Sequence, residues 1–180
     1  DFALFLLTNS PDPKRSIYSL NTIMKELFRY GKKEEALKMC FKIIEKNENL
    51  KPNKATFIAL LSGFTRKRDL EEGKIVHLWL IEDGIDVSKE GHDLDNDGHD
   101  VDAVVSTALV TMYGKCGDLE SAFNVSESMM VRDSVGWNAL FAVNAHHGKW
   151  ADILRFFKQM ILEGVVPNRV TFVSILSACE

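Results

Sequence analysis

Eleven residues beginning at Pro52 return almost unchanged 115 positions later, and this recurrence constrains the fold more than any other feature of the chain. The segment from Pro52 to Ser62 (PNKATFIALLS) reappears from Pro167 to Ser177 (PNRVTFVSILS), with Pro, Asn, Thr, Phe, Leu and Ser identical. A second recurring pattern lies in between. Ser106 to Val110 runs on to Gly117, Trp137 to Phe141 runs on to Gly148, and Ser19 to Ile23 runs on to Gly31. Self-similarity at this spacing marks an array of small units that stack, because none can bury its own apolar face alone.

Each unit reads as two helices. In the first, Leu109, Val110, Met112 and Tyr113 recur at i, i+3 and i+4 spacing, the pattern of one buried helical face. A glycine-containing turn follows, as at Gly117-Asp118. The second helix is more charged and amphipathic, with Ala36, Leu37, Cys40, Ile43 and Ile44 on one stripe. Asp69-Leu70-Glu71-Glu72 has the spacing of a capping box, which places a second-helix start there. Pro52 and Pro167 close their units, since proline lacks the backbone donor and disfavours helix just before it. The sequence therefore predicts an all-α fold, an α-solenoid of about four helix-turn-helix repeats plus a partial fifth. The units are placed at 17–53, 54–88, 103–133 and 134–168, with the partial repeat at 169–180. Residues 1–16 form a preceding element and connection, and 89–102 an acidic loop insertion.

Composition narrows the function classes. The formal charge is −4, but nine carboxylates against one lysine between Glu82 and Asp102 hold −8 of it, leaving the remainder at +4. A basic remainder is compatible with a nucleic-acid partner. Cys40, Cys116 and Cys179 stand far apart in apolar stretches, as buried small hydrophobes do, with neither disulfide nor zinc spacing. The longest apolar run, Phe2 to Leu7, is far below the roughly 20 residues of a membrane span.

Three stretches carry a family resemblance. Thr107 to Gly117 (TALVTMYGKCG), Arg132 to Leu140 (RDSVGWNAL) and Pro167 to Cys179 occur in the order seen in the pentatricopeptide repeat family. They resemble its form with alternating standard, long and short units. The resemblance covers roughly residues 17–180 and types the units as standard-like, long-like, short-like, standard-like and, for the partial one, long-like. The rival is the tetratricopeptide repeat, a protein-binding scaffold of nearly the same period. Its first helix needs a small residue at the eighth position, where this chain has Met24, Leu61, Val110 and Phe141. Three departures from the resembled pattern, Ser126, Asn144 and Ile153, imply a loosened core in the third and fourth units.

The resemblance implies a reader of single-stranded RNA, one base per unit. A base offers a π-face to apolar side chains and an edge to polar ones. Two positions per unit would read the edge, one in the first helix and the other the last residue of the unit. These are Asn21 with Asn53, Thr107 with Asp133, and Asn138 with Asn168. The family's pattern implies pyrimidine for the two Asn–Asn pairs and guanine for Thr107 with Asp133, whose carboxylate accepts from guanine's ring N–H and amine. Tyr18, Ala55, Val104 and Val135 would sandwich the bases. Ile58 and Val173, in the long units, cannot read an edge. Each polar residue also suits an ordinary helix N-cap or turn.

Asp93 to Gly98 (DLDNDG) copies the first half of a calcium-binding EF-hand loop, but Asp100 stands where an apolar residue is needed and Val104 where a bidentate Glu is needed. A solvated loop is the expectation. His77, His146 and His147 fall on helices, at the surface or in the second layer. Neither half of the deaminase signature, H-x-E and P-C-x-x-C, occurs. The sequence thus implies no enzyme, no metal, no cofactor, no membrane and no small-molecule substrate. The implied partner is single-stranded organelle RNA, with editing or processing proteins as further partners. The implied location is the mitochondrion or chloroplast, and the implied roles are RNA editing, splicing, processing or stabilisation. The alternative is a protein–protein interaction scaffold of tetratricopeptide-like type.

Overall fold

The computed structural model describes residues 13–46, 52–82, 101–129 and 132–177. These form nine α-helices and one 3₁₀ turn, with no strand among the described residues. Two compact units divide the chain after Gly63.

The first unit contains α1 (Pro13–Arg29), α2 (Lys33–Lys46) and α3 (Lys54–Gly63). Pro13 opens α1, where a missing N–H costs nothing. Ile17, Leu20 and Met24 make its buried stripe, joined by Ala36 and Cys40 of α2 and by Phe57, Leu60 and Leu61 of α3. Helix α1 packs against both α2 and α3, so the two first helices lie side by side with α2 behind.

The second unit begins with a 3₁₀ turn (Lys67–Asp69) leading into α4 (Leu70–Glu82). It continues with α5 (Val101–Cys116), α6 (Leu119–Ser128), α7 (Ser134–His146), α8 (Trp150–Leu162) and α9 (Arg169–Leu176). Helix α7 touches both α5 and α9, which makes a layer of first helices, while α6 and α8 form a layer behind it. Trp137, Leu140 and Phe141 of α7 and Ile153, Phe156 and Met160 of α8 are buried at the centre. Burying each large side chain is worth about 1.5–3 kcal/mol. Met24, Leu61, Val110 and Phe141, the bulky residues that disfavour the tetratricopeptide pattern, all lie in the core of their units.

The hairpin turns follow one plan. Gly117 (φ 86°) and Gly148 (φ 63°) take the left-handed conformation that terminates a helix. The next residue folds back onto it, Asp118 N donating to Tyr113 O at 3.0 Å and Lys149 N to Asn144 O at 2.9 Å.

Three local features differ from, or sharpen, the sequence reading. Asp69 does precede a second helix, but its carboxylate reaches backward, accepting from Thr65 N (3.0 Å) and Arg66 N (2.9 Å). It braces the 3₁₀ turn that leads into α4. An open cleft of about 310 Å³ lies between α6, α7 and α8, lined by Phe123, Leu140, Val143, Asn144, Arg155 and Phe156 among others; of the three residues expected to loosen the core, only Asn144 lines it, and Ile153 is fully buried. Asn144 is buried there with its amide donating to Leu140 O at 2.9 Å, and Ser126 is buried with no partner for its hydroxyl. Finally, α5 begins at Val101, so residues 101 and 102 of the segment assigned to the acidic loop are helical. The rest of that segment, including the calcium-like stretch Asp93–Gly98, lies outside the described residues, as does Cys179.

Candidate nucleic-acid interface

Asn53, Asp133 and Asn168, which the sequence reading places at the ends of repeats, each fold onto the start of the helix that follows. Asn53 Oδ1 accepts from Thr56 N at 3.0 Å, and Asn53 N donates to Thr56 Oγ1 at 3.1 Å. Asn168 Oδ1 accepts from Val170 N (2.9 Å) and Thr171 N (3.1 Å), and Asn168 N donates to Thr171 Oγ1 at 3.1 Å. Asp133 Oδ1 accepts from Val135 N and Gly136 N, both at 2.9 Å. All three side chains therefore cap helices, each satisfying backbone donors that the first turn leaves open.

The first-helix partners meet these caps. Asn21 Nδ2 donates to Asn53 Oδ1 at 3.4 Å, and Asn138 Nδ2 donates to Asn168 Oδ1 at 3.3 Å. Of the three pairs proposed from the sequence, the two Asn–Asn pairs are thus brought together. Thr107 is half-buried on α5, its carbonyl accepting from Thr111 Oγ1 at 2.8 Å, and no hydrogen bond joins it to Asp133.

Capping fixes which atoms remain to meet a ligand. Backbone N–H groups only donate, so Oδ1 of Asn53 and of Asn168 must face the helix and their Nδ2 groups face away. Asp133 spends one oxygen on the cap and keeps Oδ2, an acceptor. Asn53, Asp133 and Asn168 are exposed, whereas Asn21 and Asn138 are only 8% and 9% accessible. In the two Asn–Asn pairs the accessible chemistry therefore sits mainly on the last residue, with the first-helix amide bonded beside it.

One turn before each first-helix position stands an exposed side chain. Tyr18, Val104 and Val135 are exposed three residues ahead of Asn21, Thr107 and Asn138, and Ala55 three ahead of Ile58. Spacing of i, i+3 puts the two on one helical face. Single exposed apolar residues are ordinary. Here they recur in one register, on adjacent α5 and α7. Val170 on α9 extends the row and was missed from sequence, although it occupies the register of Ala55 in the long-unit opening.

Arg132 immediately precedes Asp133 and is almost covered. Its guanidinium bonds Glu127 and Glu163, each at 2.7 Å, and lies 4.5 Å from the centre of the Trp137 ring. Elsewhere, Tyr113 receives a 2.8 Å contact from His77 Nδ1. Burial, with Asp118 and Cys116 adding to it, pushes the phenol up to about 12, while burial lowers the His77 imidazole. His147 Nε2 is 2.7 Å from Gly114 O, and His146 is exposed. Burial also pushes the Cys40 thiol up to about 12, which leaves no thiolate to react.

Comparison with known proteins agrees with this fold. Residues 104–133 match the model of the PPR repeat, and residues 132–180 match that of the PPR repeat family. The chain is 32% identical over 168 residues to the chloroplastic pentatricopeptide repeat-containing protein CRR2 of Arabidopsis thaliana, covering 93% of this chain and 23% of that protein. It is 32% identical over 161 residues to a mitochondrial pentatricopeptide repeat-containing protein of the same plant, covering 89% of this chain and 16% of that one. The pentatricopeptide repeat protein PPR10, solved in complex with an 18-nt psaJ RNA element, aligns with a TM-score of 0.71 at 20% identity, covering 90% of this chain and 22% of that one. PPR10 from maize aligns at 0.69 and 16% identity, covering 97% and 25%. The fold is thus that of an α-solenoid, and the chain spans only 19–23% of the length of the first three of the curated relatives it matches.

Proposed function

We propose, from the premise that the chain carries pentatricopeptide repeats, that it binds single-stranded RNA and discriminates bases through one polar pair per repeat. The observation that supports this most is the recurrence, in one register, of an exposed helix cap bonded to a first-helix side chain. Nδ2 of Asn53 and Asn168 offers donors, which suit the carbonyl acceptors of uracil and the N3 and carbonyl acceptors of cytosine. Oδ2 of Asp133 offers an acceptor, which suits the N1–H and amine of guanine. A wrong base leaves one of these groups desolvated and unpaired. Tyr18, Ala55, Val104, Val135 and Val170 offer surfaces on which base faces can pack. Lys54 and Arg169, each following a cap in sequence, place positive charge where phosphates would pass.

PPR10 is solved with an RNA element, and several relatives are named chloroplastic or mitochondrial. By likeness, this chain acts in an organelle on an organelle transcript, without chemistry of its own, supporting editing, splicing or stabilisation alongside proteins that carry out those steps. The alternation of standard, long and short units belongs to the same proposal, as do the unit boundaries.

Three readable bases at about 1–3 kcal/mol each, offset by several kcal/mol of association cost, give a Kd on the order of micromolar or weaker. Selection of this chain against a randomised RNA pool tests the proposal. Enrichment of guanine at one position and pyrimidines at others is expected. Retention without any base enrichment, lost uniformly with salt, would refute it.

A further inference from the structure

Thr171 is fully buried at the start of α9, and its hydroxyl joins both members of the Asn138–Asn168 pair. Oγ1 accepts from Asn168 N at 3.1 Å and donates to Asn138 Oδ1 at 2.7 Å. With its oxygen occupied, the Asn138 amide turns Nδ2 toward Asn168 Oδ1, 3.3 Å away. An amide can rotate to exchange its oxygen and nitrogen. In that rotated state Asn138 Oδ1 would face Asn168 Oδ1, which the α9 backbone amides already fix in place. The hydroxyl and the cap together leave the Asn138 side chain one unpartnered group, its second N–H, which is a donor.

The other two repeats provide internal comparisons. The Asn21–Asn53 pair has the same residue types, and Thr56 holds the place of Thr171. There the hydroxyl donates to Asn53 Oδ1 at 3.0 Å, the counterpart of a longer 3.3 Å contact from Thr171 Oγ1 to Asn168 Oδ1, but nothing reaches Asn21 Oδ1, which is buried with no partner. The cap bond from Asn53 N to Thr56 Oγ1 is nonetheless present, at 3.1 Å. In the third repeat, Gly136 stands three residues after Asp133 and supplies no hydroxyl. Three repeats thus share a cap and differ in whether a hydroxyl fixes the first-helix side chain behind it.

We infer that Thr171 is a specificity-determining residue, whose hydroxyl orients the Asn138 amide so that the Asn138–Asn168 pair presents donors alone to a base. This inference rests on the RNA-binding reading. Removing the hydroxyl leaves Asn138 Oδ1 without its donor, and a base carrying an exocyclic amine can then supply one. Preference for acceptor-rich edges relaxes as a result.

The test uses the full chain and RNA oligomers that differ at single bases, with Kd read by fluorescence anisotropy. The base facing the pair is the one whose preference Asn168→Ala abolishes. Thr171→Val keeps the shape and removes the hydroxyl. It is expected to shrink the ratio of the Kd for an amine-bearing base (adenine, cytosine or guanine) to that for uracil at least threefold at that position, and to leave the guanine preference at the Thr107–Asp133 base unchanged. Thr171→Ser keeps a hydroxyl and should retain the ratio. Thr56→Val loses the same cap bonds but has no bond to the first-helix Asn21 to lose, so its own base preference should hold. An unchanged ratio in Thr171→Val overturns the inference, as does an equal loss in Thr171→Val and Thr56→Val, which would mark a purely structural cap. Absence of base preference in the unsubstituted chain is a separate outcome, which overturns the RNA-binding reading and the inference with it.

Discussion

Gly114→Ala isolates the contact that spaces adjacent repeats. Gly114 lies on α5 and faces Val143 of α7. An added Cβ would sit 2.9 Å from Val143 Cβ, 2.5 Å from Cγ1 and nearer still to Cγ2. Carbon atoms pack best at about 3.5–4.0 Å, so the overlap is about 1 Å. Val143 is β-branched and helical, with one strongly preferred rotamer, so the methyls cannot swing clear and the helices must part. Overpacking of this kind costs about 1–3 kcal/mol, and two methyls place it near the top. Alanine returns about 1 kcal/mol of helix propensity. The net loss of about 2 kcal/mol corresponds to a melting temperature about 4–8 °C lower for a chain of this size. Thermal melting followed by circular dichroism would read it. Val143→Ala removes both Cγ atoms, so in the double variant the two losses should fall short of additive by about 1 kcal/mol or more. A Gly114→Ala chain that melts higher than the parent, as propensity alone dictates, or strict additivity in the double variant, would refute the reasoning.

Other groups give independent expectations. Ser126→Ala removes a buried hydroxyl that has no partner, and a gain of about 1 kcal/mol in urea unfolding is expected; a loss would mean that the hydroxyl is satisfied. Arg132→Gln forfeits two charge-assisted bonds and the stacking on Trp137, and should cost about 2 kcal/mol; a change under about 0.5 kcal/mol would contradict the role given to it. For Asp118, burial raises its carboxyl, but hydrogen bonds from Ser121 and the Lys74 charge together outweigh this and hold it below the ordinary carboxylate value. A depressed folded value means stability that is present above the unfolded value, about 4, and lost as pH falls through the folded one. Asp118→Asn, which can still cap α6, should therefore flatten the acid limb of a stability-versus-pH curve, and an unchanged limb would exclude Asp118 as its source.

The parts of this molecule legible in its sequence are those that recur. Apolar stripes at helical spacing located the first helices, and Gly31, Gly117 and Gly148 marked their ends because only a left-handed residue closes such a turn cheaply. The candidate site was half legible. Asn, Asp and Thr suit both capping and base reading, and the structure makes Asn53, Asp133 and Asn168 caps whose leftover atoms remain exposed. Composition could not reveal that Asn21 and Asn138 are nearly covered, since burial depends on where the next repeat folds back. The role of Thr171 was hidden for the same reason, because its hydroxyl meets Asn138 from 33 residues away. At Asp69 the spacing marks the start of the second helix at Leu70, while the carboxylate's bonds to Thr65 N and Arg66 N depend on a turn that spacing does not encode.

The most direct measurement is guanine preference in an Asp133→Asn chain, with Kd determined for RNAs carrying each of the four bases at the position facing Thr107 and Asp133. The substitution keeps a capping oxygen for Val135 and Gly136 and changes only the outward group, from acceptor to donor. Loss of guanine preference at that one base, with binding to other positions and melting temperature retained, is the predicted result. Unaltered selection for guanine would contradict the claim that exposed caps read base edges.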